Sequence, residues 1–148
     1  MKPESAIAMP GVSMARVSLS ADKRGDKKLQ LTLDAGQPGS ALVLHCQGRI
    51  IFRSEARALS SIVAELLPSA HRMVVDLAGV DSVDSGGLGE LVLTHMWAEA
   101  AGYELKFASP RKSVRHLFEI TNLVSVFDVY GSVPEAVAAM GQEEMRPA

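Results

Sequence analysis

The sequence predicts an α/β fold: a single domain in which a mixed β-sheet of about five strands carries about four helices. Three observations lead there. Short apolar runs of strand type alternate with longer stretches of helical period from Leu29 to about Met140. The 148 residues suit one domain with a proper core, and no internal repeat divides them. Hydrophobic residues make up 47% of the chain and aromatic ones only 5%, so the core is one of Leu, Val, Ile and Ala, the filling of a sheet flanked by helices.

Residues 1–28 mix Pro, Gly, Ser and Ala with the basic cluster Lys23-Arg24 and Lys27-Lys28, show no sustained period, and read as a flexible N-terminal tail. Leu29 to Leu33 alternates apolar and polar like a half-buried strand, and Ala41 to Cys46 is a second, more apolar one. Gly36, Pro38 and Gly39 between them read as a hairpin loop. After Gly48 and Arg49-Ile50-Ile51-Phe52, a helix begins near Ser54. It presents Leu59, Ile62, Val63, Leu66 and Leu67 on one side and is expected to stop at Pro68.

Met73 to Leu77 is an almost unbroken apolar run, the pattern of a strand covered on both faces. A helical pattern follows after one tight turn. Leu88, Leu91, Val92, His95 and Met96 share one stripe of a helix running to about Ala101. Gly102 ends it, and Tyr103 to Ala108 is the next strand. The helix after Pro110 presents Val114, Leu117, Phe118 and Thr121, with Asn122 as C-cap. Val126 to Tyr130 is expected as the last strand. Ser132-Val133-Pro134-Glu135 opens the final helix with capping-box spacing, and residues 142–148 form a polar C-terminal tail. This order implies a sheet that is parallel in its later strands.

The chemistry gathers at the strand-to-helix turn, Val83-Asp84-Ser85-Gly86-Gly87-Leu88-Gly89. Asp84 and Ser85 are both capable N-caps, and the first turn of a helix carries unpaired N–H groups and a partial positive charge. A phosphate on Ser85 would be tolerated there while changing the surface charge by about −1.5 to −2 units. Gly86, Gly87 and Gly89 are expected to clear side chains from around the hydroxyl, so that another protein could approach it closely.

At these residues the sequence resembles the STAS domain family, found in bacterial anti-sigma-factor antagonists and in regulatory parts of transport systems. The matching features are the apolar strand with Asp76, then Asp84-Ser85-Gly86-Gly87-Leu88-Gly89, then Leu117 to Leu123 and Phe127-Asp128-Val129-Tyr130 with Ala136 to follow. The resemblance spans the body of the chain and implies a STAS domain over residues 29–141. It also implies that Ser85 is the serine an anti-sigma kinase phosphorylates, that the unmodified protein sequesters that anti-sigma factor, and that a phosphatase can reset the switch. Two positions depart from the family pattern. Gly86 follows the serine where a second Ser or Thr is common, and Ile51 stands where many members carry an acid, so Ile51-Phe52 is read either as an apolar contact patch or as buried under the first helix.

Other chemistries find less support. The turn lacks the glycine two residues before serine that a nucleophile elbow requires, and no lysine follows the glycines as a P-loop demands. A metal held by Asp76, Asp81 and Asp84 competes with simple turn and cap roles for those residues, and the histidines at 45, 71, 95 and 116 lack zinc-motif spacing. His95 is expected as a hydrogen-bonded core or boundary residue, and Arg111-Lys112 and Arg115 as a solvated helix start. Single Cys46 reads as a small buried side chain and fits a reducing compartment. A net charge of −2 gives no general attraction to nucleic acid or anionic membrane, and no apolar run is long enough to span a bilayer. The expectation is therefore a cytoplasmic binding protein, not an enzyme, without cofactor, and a monomer or weak homodimer. The rival is a STAS module of a transporter complex that is never phosphorylated. The row Ser85, Gly89, Leu93 and Trp97, spaced by four, is the expected partner surface together with Asp84, Gly86 and Gly87.

Overall fold

A computed structural model describes residues 14–15, 29–34, 41–51 and 54–140. The expected hairpin loop, Phe52, the C-terminal tail and most of residues 1–28 lie outside the described residues. The strands are β1 (Met14–Ala15), β2 (Gln30–Asp34), β3 (Leu42–Ile50), β4 (Arg72–Val83), β5 (Glu104–Ala108) and β6 (Val129–Tyr130). The helices are α1 (Ser54–Ala70), α2 (Ser85–Ala101), α3 (Lys112–Ile120) and α4 (Val133–Ala139). In the sheet the strands stand in chain order; β1–β2 and β2–β3 pair antiparallel, and the pairs from β3 to β6 are parallel. This is the expected mixed α/β domain, with one addition: β1, from the segment read as tail, pairs with Leu33 and Asp34.

Strand alternation sorts the core into two layers. Leu31, Leu44, Cys46, Met73, Val75, Leu77, Leu105 and Phe107 belong to the larger one, which is completed by residues of α1, α2 and α3. Val43, Val74 and Ala108 belong to the smaller, closed by Ala136 of α4. Lys106 falls among the second set and is fully buried, its ammonium donating to Asp128 Oδ2 at 3.2 Å and lying 5.5 Å from the centre of the Tyr130 ring. Asp128 supplies the opposite charge that a buried lysine requires.

Four boundaries differ from expectation, the first being β3, which runs past Cys46 to Ile50. β4 continues six residues past Leu77 to Val83, because β3 keeps pairing with it as far as Ile50 opposite Val83. β5, by contrast, reaches only Asp76. The two long strands therefore project beyond their neighbour as a ribbon of roughly 20 Å, at 3.3 Å per residue. α1 does not stop at Pro68 but runs to Ala70, where His71 takes a left-handed conformation (φ 70°) and donates its N–H to Leu67 O. Proline's fixed φ is helical, and Ala64, whose carbonyl loses its partner, is open to water. The last strand is only Val129–Tyr130, since residues 123–126 turn instead, with Val126 N–H on Leu123 O. Asn122 does end α3: it is left-handed (φ 64°), and paired bonds from Asn122 and Leu123 to Glu119 O and Phe118 O close the helix.

Candidate functional site

The projecting β3–β4 ribbon carries the strand-to-helix turn at its tip. Asp84 is extended (φ −89°, ψ 177°), and its Oδ1 accepts the Gly87 N–H at 2.7 Å while its carbonyl accepts from Leu88 N–H. Asp84 is thus the N-cap, and Ser85 is not: it is the first helical residue, exposed, and its hydroxyl makes no hydrogen bond among the described residues. Arg111 steadies the ribbon's outer edge. Its Nε donates to Ala78 O at 3.0 Å and its Nη1 to Asp81 Oδ1 at 2.6 Å, so the expected solvated helix start is in this residue a brace.

The three glycines of the turn differ in kind. A Cβ on Gly87 would stand 2.1 Å from the Ile50 carbonyl oxygen, so this glycine is buried and lets α2 press against the end of β3. The expectation that Gly87 clears space for a partner is thereby corrected: its missing side chain makes room for β3. Gly89 is the opposite case: it is exposed, and a Cβ there would meet nothing within 4 Å. Glycine inside a helix costs about 1 kcal/mol relative to alanine, and nothing among the described residues requires it at position 89. Gly86 is half-buried.

α2 is apolar nearly all round, since Glu90 and Glu99 are its only charged residues. Its buried side is Gly87, Leu88, Leu91, Thr94, His95 and Ala98. The expected stripe is therefore rotated. Met96 is 55% exposed, and Thr94 and Ala98 are buried in its stead, because α2 packs against α1 as well as the sheet. The Ser60 hydroxyl of α1 donates to Glu90 Oε1 at 3.1 Å across that contact. Beside it lies a shallow groove of about 290 Å³ lined by Ser60, Ser61, Ala64, Leu93, Thr94 and Trp97. Leu93 is 63% exposed and Trp97 38%, the indole leaning on Tyr103 with ring centres 5.6 Å apart. The row from Ser85 to Trp97 is thus open to solvent, and Trp97 also rests on Tyr103, the residue just before β5.

The remaining candidates are dispersed. Asp76 accepts from Ala78 N–H and pairs with His45 Nδ1 at 2.6 Å, Asp81 faces Arg111 and Asp84 caps α2, so the three aspartates hold three different partners. Cys46 is buried, and burial, followed by the charge of Asp76, pushes its thiol far up, which leaves it inert as a nucleophile. Ile51 is half-buried and Ile50 fully buried. His95 is core, as expected, but not hydrogen-bonded among the described residues: neither ring nitrogen has a hydrogen-bond partner, Nε2 stands 3.9 Å from Glu99 Oε1, and the ring meets Phe127 edge-on at 5.5 Å. Replacing a buried polar ring that makes no hydrogen bond with an apolar one should be favourable. His95→Phe is expected to raise the urea midpoint, by about 1 kcal/mol of stability, and a clear loss instead would show that the imidazole nitrogens are satisfied in solution.

A family model described as the STAS domain matches residues 32–136, which takes in the sheet from within β2 to β6, the Ser85 turn and α4 up to Ala136. The chain belongs to the STAS domain family. This STAS domain is 27% identical, over 111 residues, to BtrV of Bordetella bronchiseptica, a protein assigned as an anti-sigma factor antagonist; the match covers 75% of this chain and 94% of that protein. Its fold is shared with an anti-sigma factor antagonist from Mycobacterium paratuberculosis at a TM-score of 0.66 and 23% identity, covering 82% of this chain and 97% of the other. The anti-sigma factor antagonist SpoIIAA, in its unphosphorylated form, superposes at a TM-score of 0.58 with 16% identity over 80% of this chain and 99% of its own. Among the described residues of the STAS domain, no helix is long and apolar enough to cross a membrane. What the sequence alone missed were contacts between distant residues: the Ile50 carbonyl behind Gly87, and Arg111 reaching Asp81. No local spacing signals either.

Proposed function

We propose that this STAS domain is a cytoplasmic anti-sigma-factor antagonist, a binding protein and not an enzyme, that sequesters an anti-sigma factor with serine kinase activity and is switched at Ser85. The unmodified protein binds; the phosphoprotein is released and a phosphatase resets it. The observation that carries this reading is the hydroxyl of Ser85, exposed on the first residue of α2 while Asp84 does the capping. Among the described residues the serine hydroxyl holds nothing in place, and a phosphate there would meet the positive end of the helix dipole. Its charge would fall on the surface that includes Asp84, Gly89, Leu93 and Trp97. ATP belongs to the partner. Likeness to BtrV and to antagonists of the same fold supports the class of partner.

Incubation with the host's anti-sigma kinases and ATP is expected to add one phosphate, located at Ser85 by mass spectrometry. Ser85→Ala should take up none and should melt within a few tenths of a kcal/mol of wild type, since it is not the cap. Ser85→Asp should weaken kinase binding at least about tenfold, or 1.4 kcal/mol, at unchanged stability. A phosphate on Ser82 or Ser113, or on no residue, would count against the switch, and equal binding by wild type and Ser85→Asp would favour an unphosphorylated transporter module.

A further inference from the structure

Ser85, Gly89, Leu93, Met96 and Ala100 are all exposed and lie on the side of α2 opposite its buried face. A surface helix ordinarily turns its charged side outwards, whereas here the outward side is free of charge and apolar from Gly89 to Ala100, over roughly 16 Å at 1.5 Å per residue. The groove with α1 runs alongside it. We infer that this face receives an amphipathic helix of the partner whose apolar stripe is bordered by lysine or arginine; the inference rests on the reading of α2 as the partner surface.

Charge selects that occupant. α2 contains no Lys or Arg. Glu99, 71% exposed at its side chain, borders the strip on one side, and the exposed Glu65 of α1 lies beyond the groove on the other. The C-terminal end of α2 adds partial negative charge. The exposed base on α1, Arg57, falls towards the Ser85 end, which places the partner's cations towards Ala101. Leu93, Met96 and Trp97 supply the large apolar contacts, in the manner of helix-in-groove recognition. Gly89, with open space over its Cα, marks where the two helices cross most closely.

The test titrates the full-length protein with a Leu/Lys amphipathic peptide of about 18 residues, five helical turns, and with the Leu/Glu peptide of the same pattern. The readout is the fluorescence of Trp97, the single tryptophan of the chain. The Leu/Lys peptide is expected to saturate, shift the emission to shorter wavelength and bind at least about tenfold more tightly than Leu/Glu. Leu93→Glu, at an exposed position that leaves folding intact by circular dichroism, should cost at least about tenfold, and Glu99→Lys should narrow the preference between the peptides. Equal binding of both peptides, or Leu/Lys binding indifferent to Leu93→Glu, overturns the inference. Parallel titration with a host anti-sigma kinase separates the two readings. If Ser85→Asp weakens kinase binding and Leu93→Glu does not, the switch stands and helix docking falls; the reverse result keeps helix docking and removes the switch.

Discussion

Gly87→Ala should cost about 3 kcal/mol or more, the upper range for an added methyl in a packed site. The new Cβ would stand 2.1 Å from the Ile50 carbonyl oxygen and 2.9 Å from its carbon, and backbone atoms cannot swing aside as a flexible side chain can. Relief requires the first turn of α2 to lift from β3. That movement would strain the Asp84 Oδ1 bond to the Gly87 N–H and the Asp84 N–H bond to Ile50 O. Urea unfolding of the variant checks the magnitude, and kinase binding should fall with it because the Ser85 turn moves. Gly89→Ala is the control: at an exposed helical position it should stabilise the isolated domain by about 0.5 to 1 kcal/mol. Equal stability changes at the two positions would remove the distinction between a packing glycine and a surface one.

Phe127→Ala should cost about 3 to 5 kcal/mol, as large aromatic truncations in cores do. The Phe127 ring is the meeting point of three others: Phe107 at 4.9 Å, Phe118 at 5.2 Å and His95 at 5.5 Å. It is 2% exposed and joins β5, α3 and α2 in one cluster. Differential scanning calorimetry should show a drop in Tm of roughly 10 °C or more for a domain of this size. A loss under about 1.5 kcal/mol would mean that the neighbouring rings close the cavity.

The sequence by itself determined the order of elements, the single mixed sheet and the position of the Ser85 turn, because each of these is written locally. Strand alternation, helical period and the Asp84 cap depend on residues within a few positions of one another. Schellman-type ends at Gly102 and Asn122 were legible for the same reason. Tertiary structure alone decided which serine-turn residue faces where. Gly87 and Gly89 are alike as letters, yet one abuts Ile50 from a strand more than thirty residues earlier and the other abuts nothing among the described residues. Likewise the length of β4 was set by β3, the rotation of α2 by α1, and the role of Arg111 by Asp81 thirty residues away. Local backbone geometry specifies a helix or a strand, but the face it buries and the point at which it stops are fixed by whichever partner removes its apolar surface from water, and that partner is brought near only by the fold.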